Sequence, residues 1–260
     1  MGVTVITGAA SGMGRQCVEQ LRSTGDHLVA VDLAAPEIDG VTAVACDISD
    51  PGAVADLVEK VVGLGPFRAL AHVAGVSPTM TDSRRILEID LVGTALLLDA
   101  FEPLVLPGSA AVCFSSSAAY QIALVGLDPE LQALVSDPRQ PGFLDVAADR
   151  LPDTGMAYSW AKRGVIAVSA RAAVTWGRQG GRVNSLAPGL IDTPMGRQEA
   201  AQQPMMKLML EHTPLERLGE SAEVAAVAAF LLSDAASFIS GIDVLVDGGM
   251  LQGLLALMPS

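Results

Sequence analysis

Seven short apolar runs punctuate this sequence, and helical stretches lie between them. The runs are Val3–Thr7, His27–Val31, Val41–Ala45, Arg68–Val73, Ala110–Phe114, Gly181–Ala187 and Val244–Val246, and each reads as a strand. The intervening helical stretches are one ending near Ser23, then Pro51–Val62, Ser83–Ala100, Ala157–Trp176 and Glu220–Leu232. Strands that alternate with helices at this rhythm imply a parallel sheet in an α/β fold. With 260 residues, half of them apolar, the chain is long enough for one large domain with its own core.

A parallel sheet holds its ligands beyond the carboxyl ends of its strands, and those ends carry the suggestive residues. Val3–Thr7 runs directly into a turn holding Gly8, Ser11, Gly12, Met13 and Gly14, and then into a helix. Strand, glycine turn and helix together offer free backbone N–H groups to a phosphate. The spacing G-x-x-x-G-x-G also describes an ordinary Gly-rich turn. The second strand ends at Asp32, 18 positions after Gly14 (32 − 14), near the ~20-residue interval at which an acid meets an adenosine ribose. A carboxylate there accepts from both ribose hydroxyls and repels a 2′-phosphate; a strand-end turn is the plain alternative. After the third strand, Asp47, beside Ile48, either reaches the adenine amino group or starts the next helix. Ala74-Gly75 and Ser115-Ser116-Ser117 end the fourth and fifth strands. Pro188-Gly189, Ile191 and Thr193 follow the sixth, either as a turn or as groups that hold a carboxamide or phosphate.

Tyr158 and Lys162 stand four apart in the long helical stretch, so they share one face. A free phenol has a pKa near ~10, and a nearby ammonium favours the phenolate. The pair can therefore bring a proton-exchanging group toward neutral pH. Taken alone, Y-x-x-x-K equally describes a half-buried Tyr beside a solvated Lys.

Composition excludes several partners. A net charge of −13 and a pI near 4.5 argue against nucleic acid and anionic membrane surfaces, which demand basic patches. No apolar run reaches the ~18 residues of a membrane span. Cys17, Cys46 and Cys113 lie in apolar or helical runs and read as buried thiols of a cytoplasmic protein. The N-terminus carries no basic leader pattern, and no metal is expected.

Taken together, Thr7-Gly8-x-x-x-Gly12-x-Gly14, Asp32, Ala74-Gly75, Ser116, Tyr158-x-x-x-Lys162, Asn184, Pro188-Gly189 with Thr193, and Asp247-Gly248-Gly249 resemble the short-chain dehydrogenase/reductase family over essentially the whole chain. The resemblance implies a single Rossmann-like, doubly wound domain with a seven-stranded parallel sheet. It implies hydride transfer between a nicotinamide and an alcohol or carbonyl, and Asp32, with no Arg or Lys following it closely, points to NAD over NADP. Tyr158 would be the general acid/base, Lys162 would hold the nicotinamide ribose and lower the Tyr158 pKa, and Ser116 would hydrogen-bond the substrate oxygen, with Ser117 as the runner-up. The family also implies a homodimer or homotetramer.

Three departures stand out. The family's Asn-Asn-Ala-Gly is His72-Val73-Ala74-Gly75 here, and His72 reads as a core histidine. Asp90 replaces the family's catalytic asparagine; a carboxylate can hold a relay water to Lys162. Ser116 and Tyr158 are 42 positions apart (158 − 116), a far longer interval than the family commonly shows. The extra residues, 120–156, hold helical pieces at Pro129–Ser136 and Phe143–Arg150, and Leu131, Leu134, Val135, Phe143, Leu144 and Val146 are expected to pack. Bacterial 3α-hydroxysteroid dehydrogenase/carbonyl reductases of the family share such an insertion. A catalytically silent dinucleotide sensor of the same fold is the competing reading.

Residues 190–215 carry Met195, Met205, Met206, Leu208, Met209 and Leu210, divided by Pro194, Pro204 and Pro214, with Gln198, Gln202 and Gln203 among them. The segment reads either as core or as a movable lid over the nicotinamide. As a lid, with the insertion and the tail Leu251 to Met258 adding apolar surface, it implies a bulky, apolar alcohol or ketone of steroid or terpenoid type.

Overall fold

The computed structural model describes residues 2–202 and 205–257; Gln203, Pro204 and Met258 lie outside the described residues. Strand β1 (Val3–Thr7) is followed by α1 (Gly12–Leu21), β2 (His27–Asp32), β3 (Thr42–Ala45), α2 (Pro51–Leu64) and β4 (Phe67–His72). A single helical rod then comprises α3 (Ser83–Ile86), a π turn (Leu87–Val92) and α4 (Gly93–Phe101), and leads to β5 (Ala110–Phe114). After it come α5 (Ala118–Val125), α6 (Pro129–Ser136), α7 (Phe143–Arg150), the long α8 (Thr154–Gly177) and β6 (Arg182–Pro188). The chain closes with β7 (Ile191–Asp192), α9 (Pro194–Gln202), α10 (Met205–Glu211), β8 (Gly219–Glu220), α11 (Ser221–Leu232), β9 (Asp243–Val246) and α12 (Met250–Leu255).

Seven strands form one parallel sheet in the order β3-β2-β1-β4-β5-β6-β9. The chain winds outward from β1 to β3, then returns to the far side of β1 at β4. That reversal opens a crevice between the carboxyl ends of β1 and β4. Side chains alternate between faces. Val3, Val5, Val29 and Val31 join a core with Leu57, Leu97, Phe101 and Trp160, while Ile6, Leu28 and Ala30 join a second with Val18, Val224 and Leu231. The small pair β7–β8 was not visible in the sequence pattern.

The insertion packs as expected in kind but not residue for residue. Leu131, Val135 and Phe143 are buried and Leu134 and Leu144 lean on them, whereas Val146 faces solvent and Ala147 and Leu151 take the buried places. Asp128 caps α6 through the amides of Glu130 and Leu131. Among the described residues no helix is long and apolar enough to cross a membrane.

Candidate active site

Two grooves open at the carboxyl ends of the strands and meet at Met13, Thr193 and Met195. The first runs from the β1 turn to the ends of β2 and β4. Gly8, Ser11, Gly12, Met13, Gly14, Asp32, Asp47, Ile48, Ala74, Gly75 and Thr193 all line it. Gly8 and Gly12 have φ values of +69° and +51°, which a side chain would oppose. A Cβ on Gly8 would stand 2.8 Å from the Ala74 amide nitrogen, and one on Gly14 would collide with the Gly8 carbonyl oxygen. The turn therefore presents bare backbone to the groove. Ser11, at the N-cap of α1, makes no side-chain cap hydrogen bond, so the first amides of the helix keep their capacity for an anion.

Asp32 is oriented by two amides: Ala10 N–H donates to Oδ2 at 2.9 Å and Leu33 N–H to Oδ1 at 2.8 Å. Arg15 is directed elsewhere, donating to the Glu37 carbonyl and lying 3.5 Å from the Glu19 carboxylate. Asp47 does not start α2; Asp50 does, accepting from Gly52 N–H. Instead Asp47 accepts from Ser49 N–H and Oγ–H and from the Arg85 guanidinium at 2.7 Å. Burial acts upward on its carboxyl, and the Ser49 and Arg85 hydrogen bonds outweigh it, leaving it below the usual range.

The second groove is lined by Ser116, Tyr158, Pro188, Gly189, Ile191 and four methionines of the 190–215 segment, Met195, Met205, Met206 and Met209. Pro188, Gly189 and Ile191 thus line this groove and not the first. Gly189 must be small: its Cβ would sit 2.6 Å from Cα of Asp247. Thr193 Oγ1 accepts from Gly196 N–H at 2.8 Å and so caps α9. Ser115 Oγ–H donates to the Lys162 carbonyl and is structural; Ser116 is the serine of the three that acts on the Tyr158 phenol, lowering its pKa. Ser117 is buried. Among the described residues of the insertion, Gln121 and Gly155 border the groove, and none of the described tail does.

Lys162 lies beneath both grooves. Its ammonium is 5.5 Å from the centre of the Tyr158 ring, 3.1 Å from Asp90 Oδ2 and 3.3 Å from the Phe114 carbonyl. Here the sequence expectation is corrected: Asp90 touches Lys162 directly, leaving no place for a relay water between them. Val76 N–H donates to the other Asp90 oxygen at 2.8 Å. The π turn, whose wider ring shifts the helix face, carries Asp90 to this spot. Gly75 closes over the pair, since its Cβ would stand 3.0 Å from both Asp90 Oδ1 and Lys162 Nζ.

Burial acts downward on Lys162, and Asp90 and Tyr158 outweigh it, holding its pKa above the ordinary value. For Tyr158, burial is the largest influence and acts upward. Lys162 opposes it, Asp90 reinforces it, Ser116 opposes it and Glu199 reinforces it, so that the net shift is upward. The expectation of a net lowering by Lys162 is thus overturned for the protein alone, because burial and two carboxylates outweigh one ammonium.

His72 is a core residue, as expected. Thr7 Oγ1 contacts Nδ1 at 2.8 Å and Thr94 Oγ1 contacts Nε2 at 2.8 Å. Thr7 Oγ1 also accepts from the amides of Val73 and Ala74, which is how the backbone before Gly75 is held without the family's asparagines. Sequence reasoning missed Thr94, Ser77 and Glu199. Glu199 was legible in principle, four residues after Met195 on the same helix face.

A family model described as "Enoyl-(Acyl carrier protein) reductase" matches residues 8–125 and 145–251. The chain is 35% identical over 217 residues, 82% of its length and 79% of the relative's, to the short-chain dehydrogenase/reductase bsc3 of Alternaria brassicicola. It is 28% identical to a 3-alpha-hydroxysteroid dehydrogenase/carbonyl reductase of Comamonas testosteroni over 96% of both chains. The 3-alpha-hydroxysteroid dehydrogenase of Pseudomonas sp. B-0831, solved in complex with NADH, superposes with a TM-score of 0.82 at 31% identity, covering 99% of this chain and 100% of that one.

Proposed function

This chain belongs to the short-chain dehydrogenase/reductase family of oxidoreductases, and from that premise we propose that it transfers a hydride between NAD(H) and a bulky, largely apolar secondary alcohol or ketone. The observation that carries the reading is that the groove lined by the glycine turn and Asp32 meets, at Met13, Thr193 and Met195, the groove lined by Tyr158 and Ser116. The bare glycine turn and the uncapped start of α1 fit a pyrophosphate. Asp32, fixed by two amides and with Arg15 turned toward Glu37 and Glu19, fits two ribose hydroxyls and disfavours a 2′-phosphate. When bound, the nicotinamide supplies the hydride acceptor or donor.

The remaining work falls to the chain's own residues. Ser116 donates a hydrogen bond to the substrate oxygen as negative charge grows there. In oxidation the Tyr158 phenolate takes the alcohol proton, and in reduction the Tyr158 hydroxyl returns it. Lys162 has three N–H bonds. Asp90 and the Phe114 carbonyl engage two, leaving the third for a ribose hydroxyl. Its charge stabilises the phenolate against the upward push of burial. The methionines give the substrate groove an apolar, adaptable wall. The 3α-hydroxysteroid enzymes among the similar proteins support a polycyclic substrate.

The test is the nicotinamide absorbance change across a panel of cyclic ketones, with the Tyr158→Phe variant beside the wild type. Turnover should fall ~10²–10⁴-fold in the variant while NADH affinity stays nearly intact. A variant that keeps most of the wild-type rate would refute the assignment.

A further inference from the structure

Among the described residues lining the substrate groove, Glu199 is the only one with a formally charged side chain. Met195, Met205, Met206, Met209, Leu190 and Pro78 line the same groove. The placement of Glu199 is fixed by the start of α9. Thr193 caps the helix through Gly196 N–H, and a Cβ on Gly196 would collide with the Ile191 carbonyl oxygen. The helix therefore lies tight against the turn after β6. Met195 and Glu199, one turn apart, then face the groove together.

Among the described residues the carboxylate has no ion-pair partner, and the groups that act to lower its carboxyl are Ser77 and, through charge, Lys162. Lys162 itself is committed to Asp90. A carboxylate has about four acceptor sites, and desolvating it without filling them is costly. Burial accordingly pushes the Glu199 carboxyl up, against Ser77 and Lys162. A substrate that brings a donor to this point would relieve the deficit, and one that brings a second anion would aggravate it.

We propose that Glu199 is a specificity-determining residue whose carboxylate accepts a hydrogen bond from a hydroxyl carried by the substrate away from its reacting carbon. The preferred substrate is then a bulky, apolar alcohol or ketone with one remote hydroxyl, and molecules with a remote carboxylate or phosphate are rejected. The proposal rests on the hydride-transfer reading of the same site.

The experiment compares three ring ketones of matched size, bearing at the far end a hydrogen, a hydroxyl or a carboxylate. Each is assayed with NADH against wild type, Glu199→Gln, Glu199→Ala and Tyr158→Phe. A hydrogen bond to a charged group supports a wild-type preference for the hydroxyl ketone over the hydrogen ketone of about ten- to a hundredfold in kcat/KM, expressed chiefly in KM. In Glu199→Ala that ratio should fall toward one. In Glu199→Gln, whose amide oxygen still accepts, part of it should persist, while the carboxylate ketone improves about tenfold relative to the hydrogen ketone. A wild type that favours the hydrogen or carboxylate ketone, or an unchanged ratio in Glu199→Ala, overturns the role of Glu199. The hydride-transfer reading survives that outcome if wild type reduces the hydrogen ketone and Tyr158→Phe does not. If wild type reduces none of the three, both fall together.

Discussion

Replacing Asp90 by asparagine alters a single charge at nearly constant shape, and the structure sets the expected cost. Asp90 receives two donors from different directions: Val76 N–H on Oδ1 at 2.8 Å, and the Lys162 ammonium 3.1 Å from Oδ2. Side-chain exposure is 6% for Lys162 and 0% for Asp90, so water does not stand in. An asparagine has one carbonyl oxygen. Whichever way its amide turns, an NH₂ group faces either the Val76 amide or the ammonium. One buried donor is then unmet, at about 1–3 kcal/mol, and the buried ion pair is broken, for which about 3–5 kcal/mol is typical. These costs overlap, and a loss of about 3 kcal/mol is expected, or a fall in Tm of about 6–12 °C at this chain length. The pH dependence has a definite sign. Asp90 holds the Lys162 pKa above its ordinary value in the folded protein, so the stabilisation that the Lys162 charge contributes is lost as pH rises through the folded pKa. Burial raises the Asp90 carboxyl itself, so the gap between wild type and variant should narrow on the acid side as Asp90 takes a proton, and close in strong base as Lys162 loses one. Urea unfolding at neutral and alkaline pH measures both. A variant within ~0.5 kcal/mol of wild type, the scatter of ordinary surface changes, would show that the contact does not hold Lys162 in place.

Two further outcomes follow from the grooves. Asp32→Ala should erase the preference for NAD over NADP, measured as kcat/KM for each; a wild type that uses NADP equally well would refute the role given to Asp32. Changing Met205, Met206 and Met209 to Ser should depress kcat/KM for polycyclic substrates about tenfold or more, given the apolar area removed. Small polar alcohols should be affected far less, and an equal effect on both would remove the case for an apolar wall.

Alternation of strand and helix made the fold readable, because a parallel sheet buried on both faces needs apolar strands and regular crossovers. The glycine turn, Asp32, Tyr158 and Lys162 were readable for a related reason: backbone approach and one-turn helical spacing are local properties. The Asp90 contact was not. Its position depends on the π turn at Leu87–Val92, and helical periodicity read from sequence carries no sign of a widened ring. Val146 was misjudged because α7 turns Ala147 and Leu151 inward, a choice made by the facing rod and not by hydrophobicity. The upward shift of Tyr158 was missed because burial by residues distant in sequence has no local signature.

The hydrogen bonds around His72 run in one direction. Thr94 Oγ–H donates to the Asp90 carbonyl at 2.6 Å, so its oxygen accepts from His72 Nε2–H, and Nδ1 in turn accepts from Thr7. Only one neutral tautomer completes the chain, and an added proton would set two donors against each other at Thr7. Burial, with Lys162's charge adding to it, pushes the imidazole down to about 3. His72 is therefore silent between pH 5 and 8, and any inflection of the rate in that range originates elsewhere. The same silence makes the fold acid-labile. Below the ordinary value of 6.5 the unfolded chain gains a proton that the native ring refuses, and stability drains at about 1.4 kcal/mol per pH unit until pH nears the native value.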